Sequence, residues 1–414
     1  MYREEDFMLA SLIPMFDKFM AVKAYSIVAQ KNDLLRDALK GSSGMWDSAM
    51  NVEGVEVLAS MGLETLVDDR EVFIPVSNVS LYTDIKAQGV DNPEKVVLLI
   101  DPHVEPTEPY LRRILELRKD GFRFAMRHLP LNEVGNYKPV MDLMDYVFLD
   151  HHTVDIEKAR RLFHTIFPRL KLCAVYVETP EEYDHLVKIG GFDFYEGRFF
   201  RMPKHAKDKE MAPLKVTYLE LLKVVNNPDF DLTTAADIIE RDPALVFQLL
   251  KIVNRMTVNS GIKSVRNAAA MLGQDELKHW INTAVTKELC SDRPSEIIRM
   301  SLIRARLSEL LAPLFGMENM SQELFLMGLF SVLDVILERP MEEVLDMINV
   351  SKPIREALLK EEGKMADVLT FVKAYEDASF QEVSRRMLLA NIEMNDVYEL
   401  YLSSLSWYRD LISL

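Results

Sequence analysis

The sequence is short of several things, and each shortage removes a class of function. It has two cysteines in 414 residues, Cys173 and Cys290, far apart and beside apolar neighbours. Such a pair reads as small buried side chains, not as a disulfide framework or a metal clamp. Basic charge is also scarce: 65 acidic residues stand against 49 lysines and arginines, a net charge of −16. A phosphate-backbone partner needs a basic stripe, so no nucleic acid is expected. The longest apolar stretch, Phe325 to Leu337, is broken by Asp334 and is too short to span a bilayer. No membrane partner is expected either. The opening Met-Tyr-Arg-Glu-Glu-Asp places acids where a secretory leader needs bases. A reduced, cytoplasmic setting follows from these absences. There is no Gly-x-Gly-x-x-Gly loop, no short-period repeat and no low-complexity segment.

What remains is a globular composition, 49% hydrophobic and 28% charged, in a chain long enough for two or three domains. From about residue 70, short strand-like runs alternate with helical ones. The strand candidates are Val72 to Val76, Lys95 to Ile100, Phe122 to His128, Tyr146 to Asp150, Lys171 to Val177 and Phe192 to Tyr195, with another near Val22 to Val28. Thr107 begins one intervening helix. Thr179-Pro180-Glu181-Glu182 begins another, with a cap, a first-turn proline and early acids. These units predict a (β/α) barrel, with an open doubly wound sheet as the alternative.

Chemistry in such a barrel belongs at the C-terminal strand ends. Those ends carry Asp101, His103, Arg127, His128, Asp150, His151, Glu178 and Glu196. Too few of them are carboxylates to hold two divalent metals for phosphodiester hydrolysis. His103, His128, Asp150 and His151 could converge as a transition-metal site, but their spacing matches no compact ligand motif, and surface residues paired with nearby acids are the expectation.

The charged stretch from Pro203 to Pro213 reads as a linker. Beyond it, helical periodicity takes over to the C-terminus. Thr233 or Thr234 is expected to cap one helix and Asp242-Pro243 to open the next; Gly273 is expected to close a third.

Several motifs, in order, resemble the EAL domain over roughly residues 8 to 203: K-V-V-L-L-I-D-P-H-V-E-P-T-E, G-F-R-F-A-M-R-H-L, D-Y-V-F-L-D, A-V-Y-V-E-T-P-E-E-Y and F-D-F-Y-E-G-R-F-F-R-M-P. That family is a barrel phosphodiesterase for the bacterial messenger cyclic di-GMP. Carried over position by position, the resemblance implies that the site is altered. Ser26 and Gln30 stand in for the signature glutamate and arginine, and Ile13 for a substrate-side glutamine. Pro75 and Leu99 replace a metal-binding asparagine and glutamate. Arg127 and His128 replace two aspartates, Phe148 a lysine, Val175 a glutamate and Glu196 a glutamine. Asp150 and Glu178 are kept.

The run from Leu214 to Asn254 and the run from Ile262 to Ile281 resemble the HDOD domain, similar in fold to HD metal-dependent phosphohydrolases. Ser331 and Val332 stand where those hydrolases carry their His-Asp pair. His279 and Trp280 are expected to be an ordinary, partly buried pair.

The resemblance therefore implies an α/β barrel of EAL type over 1–203, a linker over 204–212 and an all-α HDOD domain over 213–414. The implied function is a non-enzymatic bacterial signal-transduction protein linked to cyclic di-GMP, acting by protein–protein interaction. The partners are unnamed, no catalytic residue, metal or cofactor is expected, and self-association is left open. The alternatives are a non-hydrolysing cyclic di-GMP receptor and a residual phosphodiesterase.

Overall fold

The computed structural model describes residues 8–30, 53–63, 67, 70–102, 106–203, 213–256 and 264–412. They form two compact units, Met1–Met202 together with Phe371–Leu414, and Pro203–Thr370. The sequence assigns 213–414 to one helical domain; the structure moves its last stretch, from Phe371, into the barrel's unit. The expected linker at 204–212 lies outside the described residues.

The first unit is built on a closed barrel of eight strands in sequential order. They are β1 (Leu9–Phe16), β2 (Val22–Gln30), β3 (Glu71–Pro75), β4 (Val96–Ile100), β5 (Arg123–Met126), β6 (Tyr146–Asp150), β7 (Lys171–Val177) and β8 (Phe194–Gly197). Neighbours from β2 to β8 run parallel. β1 runs antiparallel to both of its neighbours, β2 and β8. The open-sheet alternative is thereby excluded. Leu9–Phe16 was not among the expected strands: Leu-Ala-Ser-Leu-Ile-Pro-Met-Phe is nearly continuously apolar, so it carries no period-2 signal. A hairpin joins it to β2, with the Asp17 carboxylate accepting from the Phe19 and Ala21 amides.

The barrel interior is filled by side chains that alternate inward, among them Met15, Ala24, Phe73, Val97, Ala125 and Phe194. Phe73 is central, its ring 5.0 Å from Tyr146 and 5.4 Å from Phe148. Below that layer the Tyr146 hydroxyl donates to Glu71 at 2.5 Å and accepts from Arg123 at 3.2 Å. Arg123 also pairs with Glu71 at 2.8 Å. A buried polar group is tolerated only when satisfied, and this cluster satisfies its members mutually. Both cysteines are buried and free; Cys173 lies in the barrel core.

Helices cover the outside. The helix Pro180–Ile189 is capped by Thr179 as expected, and the structure completes a capping box, the Thr179 side chain accepting from Glu182 N while Glu182 accepts in return from the Thr179 amide. Phe371–Leu414 adds to this unit through β1: Ala10 N donates to the Tyr375 hydroxyl and the Ser11 hydroxyl to the Glu376 carbonyl.

The second unit is helical. The helix Leu232–Ile239 is capped by Asp231, whose carboxylate accepts from Thr234 N, and not by Thr233 or Thr234, two and three residues further on. Asp242 opens the helix Pro243–Met256 as expected, accepting from the Ala244 amide. Gly273 (φ 78°) leaves helical geometry where expected: within Val265–Leu289 one helix closes there and a second resumes across a kink. The helices Ser295–Leu310 and Ser321–Phe330 pack closely at Gly328, where a Cβ would lie 2.7 Å from the Ala305 Cα. The apolar stretch Glu318–Leu337 has a mean hydropathy of 1.6, but it is broken between the helices Ser321–Phe330 and Leu333–Leu337 and is largely buried.

Candidate active site

The C-terminal strand ends surround a cavity of about 600 Å³. Its apolar lining includes Ile13, Pro75, Leu99, Phe148 and Val175; its polar lining includes Arg127, His128, Asp150, Glu178 and Glu196. Positions separated by most of the barrel's sequence thus meet at one mouth. Gln30 is not among the lining residues, and His103 lies outside the described residues.

Strand β5 shows why Arg127 points there. Ala125 faces the barrel interior, so Arg123 and Arg127, two residues to either side, share that face. Phe122, Phe124 and Met126 are buried on the other face. Arg123 serves the lower polar cluster and Arg127 the mouth. The Arg127 amide continues the ladder to the Ile100 carbonyl at 3.0 Å. Its Nε and Nη2 donate to Asp101 Oδ2 at 3.0 and 2.8 Å, and His128 Nδ1 lies 2.8 Å from Asp101 Oδ1. Burial alone would raise the Asp101 carboxyl; Arg127, then His128, outweigh it and hold the group below the ordinary carboxylate range. His128 and Tyr176 both have positive φ (57° and 58°), a conformation that costs a residue with a side chain about 1–3 kcal/mol.

Asp101→Ala should therefore lower stability by about 1–3 kcal/mol, because it strands a partly desolvated guanidinium beside an imidazole. Urea unfolding of this variant beside Asp101→Asn checks it; two unchanged midpoints would show that the cluster contributes nothing.

Glu196 stands opposite Met15 in the β1–β8 pairing and is partly buried. Burial, then the Glu178 charge, push its carboxyl up to about 7, with Arg127 pulling the other way. At the rim, Arg201 Nη1 donates to Asp377 Oδ1 at 2.5 Å, and Arg198 Nη2 lies 3.4 Å from Asp377 Oδ2. Asp377 is a site residue that the sequence assigned to the other domain, and no spacing signal pointed to it.

The two-metal centre that the resemblance implies does not fit these residues. Its ligand positions hold Ser26, Pro75, Leu99, Arg127, His128 and Val175, and Arg127 brings a cation where a divalent ion would need an anion. Of the four residues weighed from the sequence as a transition-metal set, His103 lies outside the described residues and His128 is engaged with Asp101. Asp150 and His151 instead come together with His152, which that set omitted.

In the helical unit, Ser331 accepts from the buried Arg304 guanidinium at 2.8 Å and donates to the Gly328 carbonyl. The His279 ring lies 4.0 Å from the Phe325 ring at a tilt of 36°, and burial lowers its pKa.

The class defined here is a closed eight-stranded β/α barrel joined to a helical region that carries an HDOD domain, matched over residues 211–362. Among curated proteins, the chain is 26% identical over 363 residues to "Cyclic di-GMP phosphodiesterase CdgJ" of Vibrio cholerae serotype O1, covering 86% of this chain and 83% of that one. It is also 26% identical over 411 residues to "Uncharacterized protein YuxH" of Bacillus subtilis (strain 168), covering 96% and 97%. Among solved structures, the EAL-like domain protein YdiV matches 47% of this chain and 92% of its own, at 16% identity and a TM-score of 0.35. The expectation of a non-enzyme is corrected by the first of these: a relative spanning most of the chain is named a phosphodiesterase.

Proposed function

We propose that this chain is a signal-transduction protein of cyclic di-GMP pathways whose barrel mouth takes the cyclic dinucleotide and hydrolyses its phosphodiester. The observation that carries this is Glu196, a carboxyl raised to about 7 on the lining of a cavity of about 600 Å³. That volume falls in the ordinary range for ligand sites, and a group poised near neutral pH is suited to general-base work. The name of the Vibrio relative supports the substrate.

Asp101 occupies Nε and Nη2 of Arg127, which leaves Nη1 as a donor for a phosphate oxygen. In the step, Glu196 takes a proton from water as the water oxygen bonds to phosphorus. The bond from phosphorus to the ribose oxygen breaks, and solvent protonates the leaving oxygen. The test is chromatography of cyclic di-GMP incubated with the full chain, following the linear dinucleotide. Product that disappears in Glu196→Gln is expected; no product and no saturable binding would overturn the reading.

Output through a protein partner belongs to the same proposal. It is supported by Phe247, 68% exposed on the helix Pro243–Met256, since a large exposed aromatic is a typical interface anchor. Crosslinking in the native cell should give an adduct that Phe247→Asp removes; an identical adduct pattern from both proteins would place the contact elsewhere.

A further inference from the structure

Strand β6 ends in Asp150 and is followed directly by His151 and His152. One ligand atom from each of the three lies within 4.8 Å of the other two, and the imidazole rings are 3.9 Å apart, inclined at 38°. Packed histidines beside a carboxylate are common enough, so the proton positions decide what the group can do.

His151 Nδ1 lies 3.1 Å from the Val175 carbonyl oxygen. A carbonyl can only accept, so Nδ1 carries the proton, and in the neutral ring Nε2 holds a lone pair. That Nε2 is buried and has no hydrogen-bond partner. It faces Glu182 Oε2 at 3.5 Å, too far for a hydrogen bond. Glu182 Oε2 is itself committed, accepting from the Glu178 amide at 2.7 Å and the Thr179 amide at 3.2 Å. A carboxylate oxygen that accepts from two backbone amides is favoured in its charged form. A buried nitrogen lone pair therefore points at a carboxylate, an arrangement that calls for a cation between or beside them.

His152 repeats the logic. Its Nε2 lies 3.0 Å from the Tyr176 carbonyl, so that nitrogen holds the proton and Nδ1 keeps the lone pair. Two successive carbonyls of β7 thus fix both tautomers, the outer-shell arrangement that metal-binding histidines usually have. The Asp150 carboxylate is oriented from within the same turn, Oδ1 accepting from the His152 amide at 2.9 Å.

We propose that Asp150, His151 and His152, with Glu182 alongside, form a site for one divalent transition metal of the zinc type. Two imidazole nitrogens with carboxylate oxygen suit that class and not magnesium or calcium, which take oxygen ligands. Three protein ligands leave a coordination position open. Asp150 also lines the mouth cavity, so an ion held here borders the space assigned above to the dinucleotide. This inference goes beyond that assignment, because metal binding does not depend on turnover.

The test uses the full chain after removal of metals with a chelator, titrated with zinc chloride by calorimetry and with cobalt(II) by its visible absorption. One zinc per chain at this site is expected, with affinity falling at least ~100-fold in His152→Ala. The cobalt band should shift or vanish in the same variant. His152 is exposed, so apo His152→Ala should melt with the parent chain, which separates loss of a ligand from loss of the fold. His151→Gln should behave likewise if it folds. No saturable zinc binding, or binding unchanged in His152→Ala, would overturn the proposal and leave a proton as the occupant beside Glu182. Stoichiometric zinc without dinucleotide hydrolysis would sustain this site and count against the proposed activity alone.

Discussion

Glu196→Gln is expected to lower turnover of cyclic di-GMP by about 10²–10⁴-fold, the range that a positioned general base contributes. The substitution keeps the size and the hydrogen-bonding capacity of the side chain and removes only its ability to take a proton. Dinucleotide affinity should therefore change much less than kcat. Under the proposed activity, turnover by the parent chain should rise with pH through about 7, where the Glu196 carboxyl ionises; the variant should lack that rise. Stability runs the other way. Between the ordinary value of 4.5 and about 7, the folded chain holds a proton that the unfolded chain has lost. Stability from this group is present below that window, falls as pH rises through it, and is constant above it. Glutamine cannot ionise, so the variant should match the parent at pH 4 and exceed it at pH 8 by roughly 1–3 kcal/mol. Urea midpoints at the two pH values read this directly. Equal differences at both would mean that Glu196 titrates normally and is not the base.

Gly197→Ala should be the most damaging single change to the barrel. A Cβ at that position would lie 2.0 Å from the Val177 carbonyl oxygen and 2.6 Å from the Val177 carbonyl carbon. Both are backbone atoms of β7, the strand that pairs with Gly197, so neither can swing aside as a side chain would. β8 must separate from β7 or the pair must shift register. Either outcome disturbs the Glu196 neighbourhood and costs about 3–5 kcal/mol, at the upper end of what point substitutions do. Gly135→Ala is the control, since nothing lies within 4 Å of its added carbon. Chemical unfolding followed by near-ultraviolet circular dichroism should show a large fall for the first and almost none for the second. A Gly197→Ala chain as stable as the control would mean that the strand pair is looser than described.

Much of this architecture was legible because strand ends announce themselves. The run Phe-Arg-Phe-Ala-Met-Arg-His alternates, and alternation alone puts Arg127 on a shared face with Ala125 and at a strand terminus. What alternation cannot give is which face looks inward. The apolar residues Phe122 and Phe124 pack on the outer face, against the covering helices, while an Arg-Ala-Arg face looks into the barrel, because a small interior lets arginines reach its two ends. The Asp101 partnership was not legible either, since it depends on β4 and β5 being neighbours in register. Asp377 was harder still: it reaches the mouth from the far end of the sequence, carried by a segment whose helical periodicity resembles that of every helix before it. His152 carries no sequence signal for a simpler reason. The strand-end rule names the last residue or two, and the turn that brings a third side chain back beside them has no period of its own.

The return of Phe371–Leu414 to the first unit sets an order of events at the ribosome. Chains emerge from their N-terminus, at roughly 5–20 residues per second. The eight strands are all synthesised by Gly197, yet Tyr375, whose hydroxyl accepts from the Ala10 amide, is still to be made. On the order of ten seconds or more separate the two. In that interval the helical unit is made in full and can fold as a block, while the outer edge of β1 waits exposed. β1, made before the other seven strands, is therefore the last of them to be finished, and a stall or truncation ahead of Tyr375 would harm the barrel before it harmed the helices.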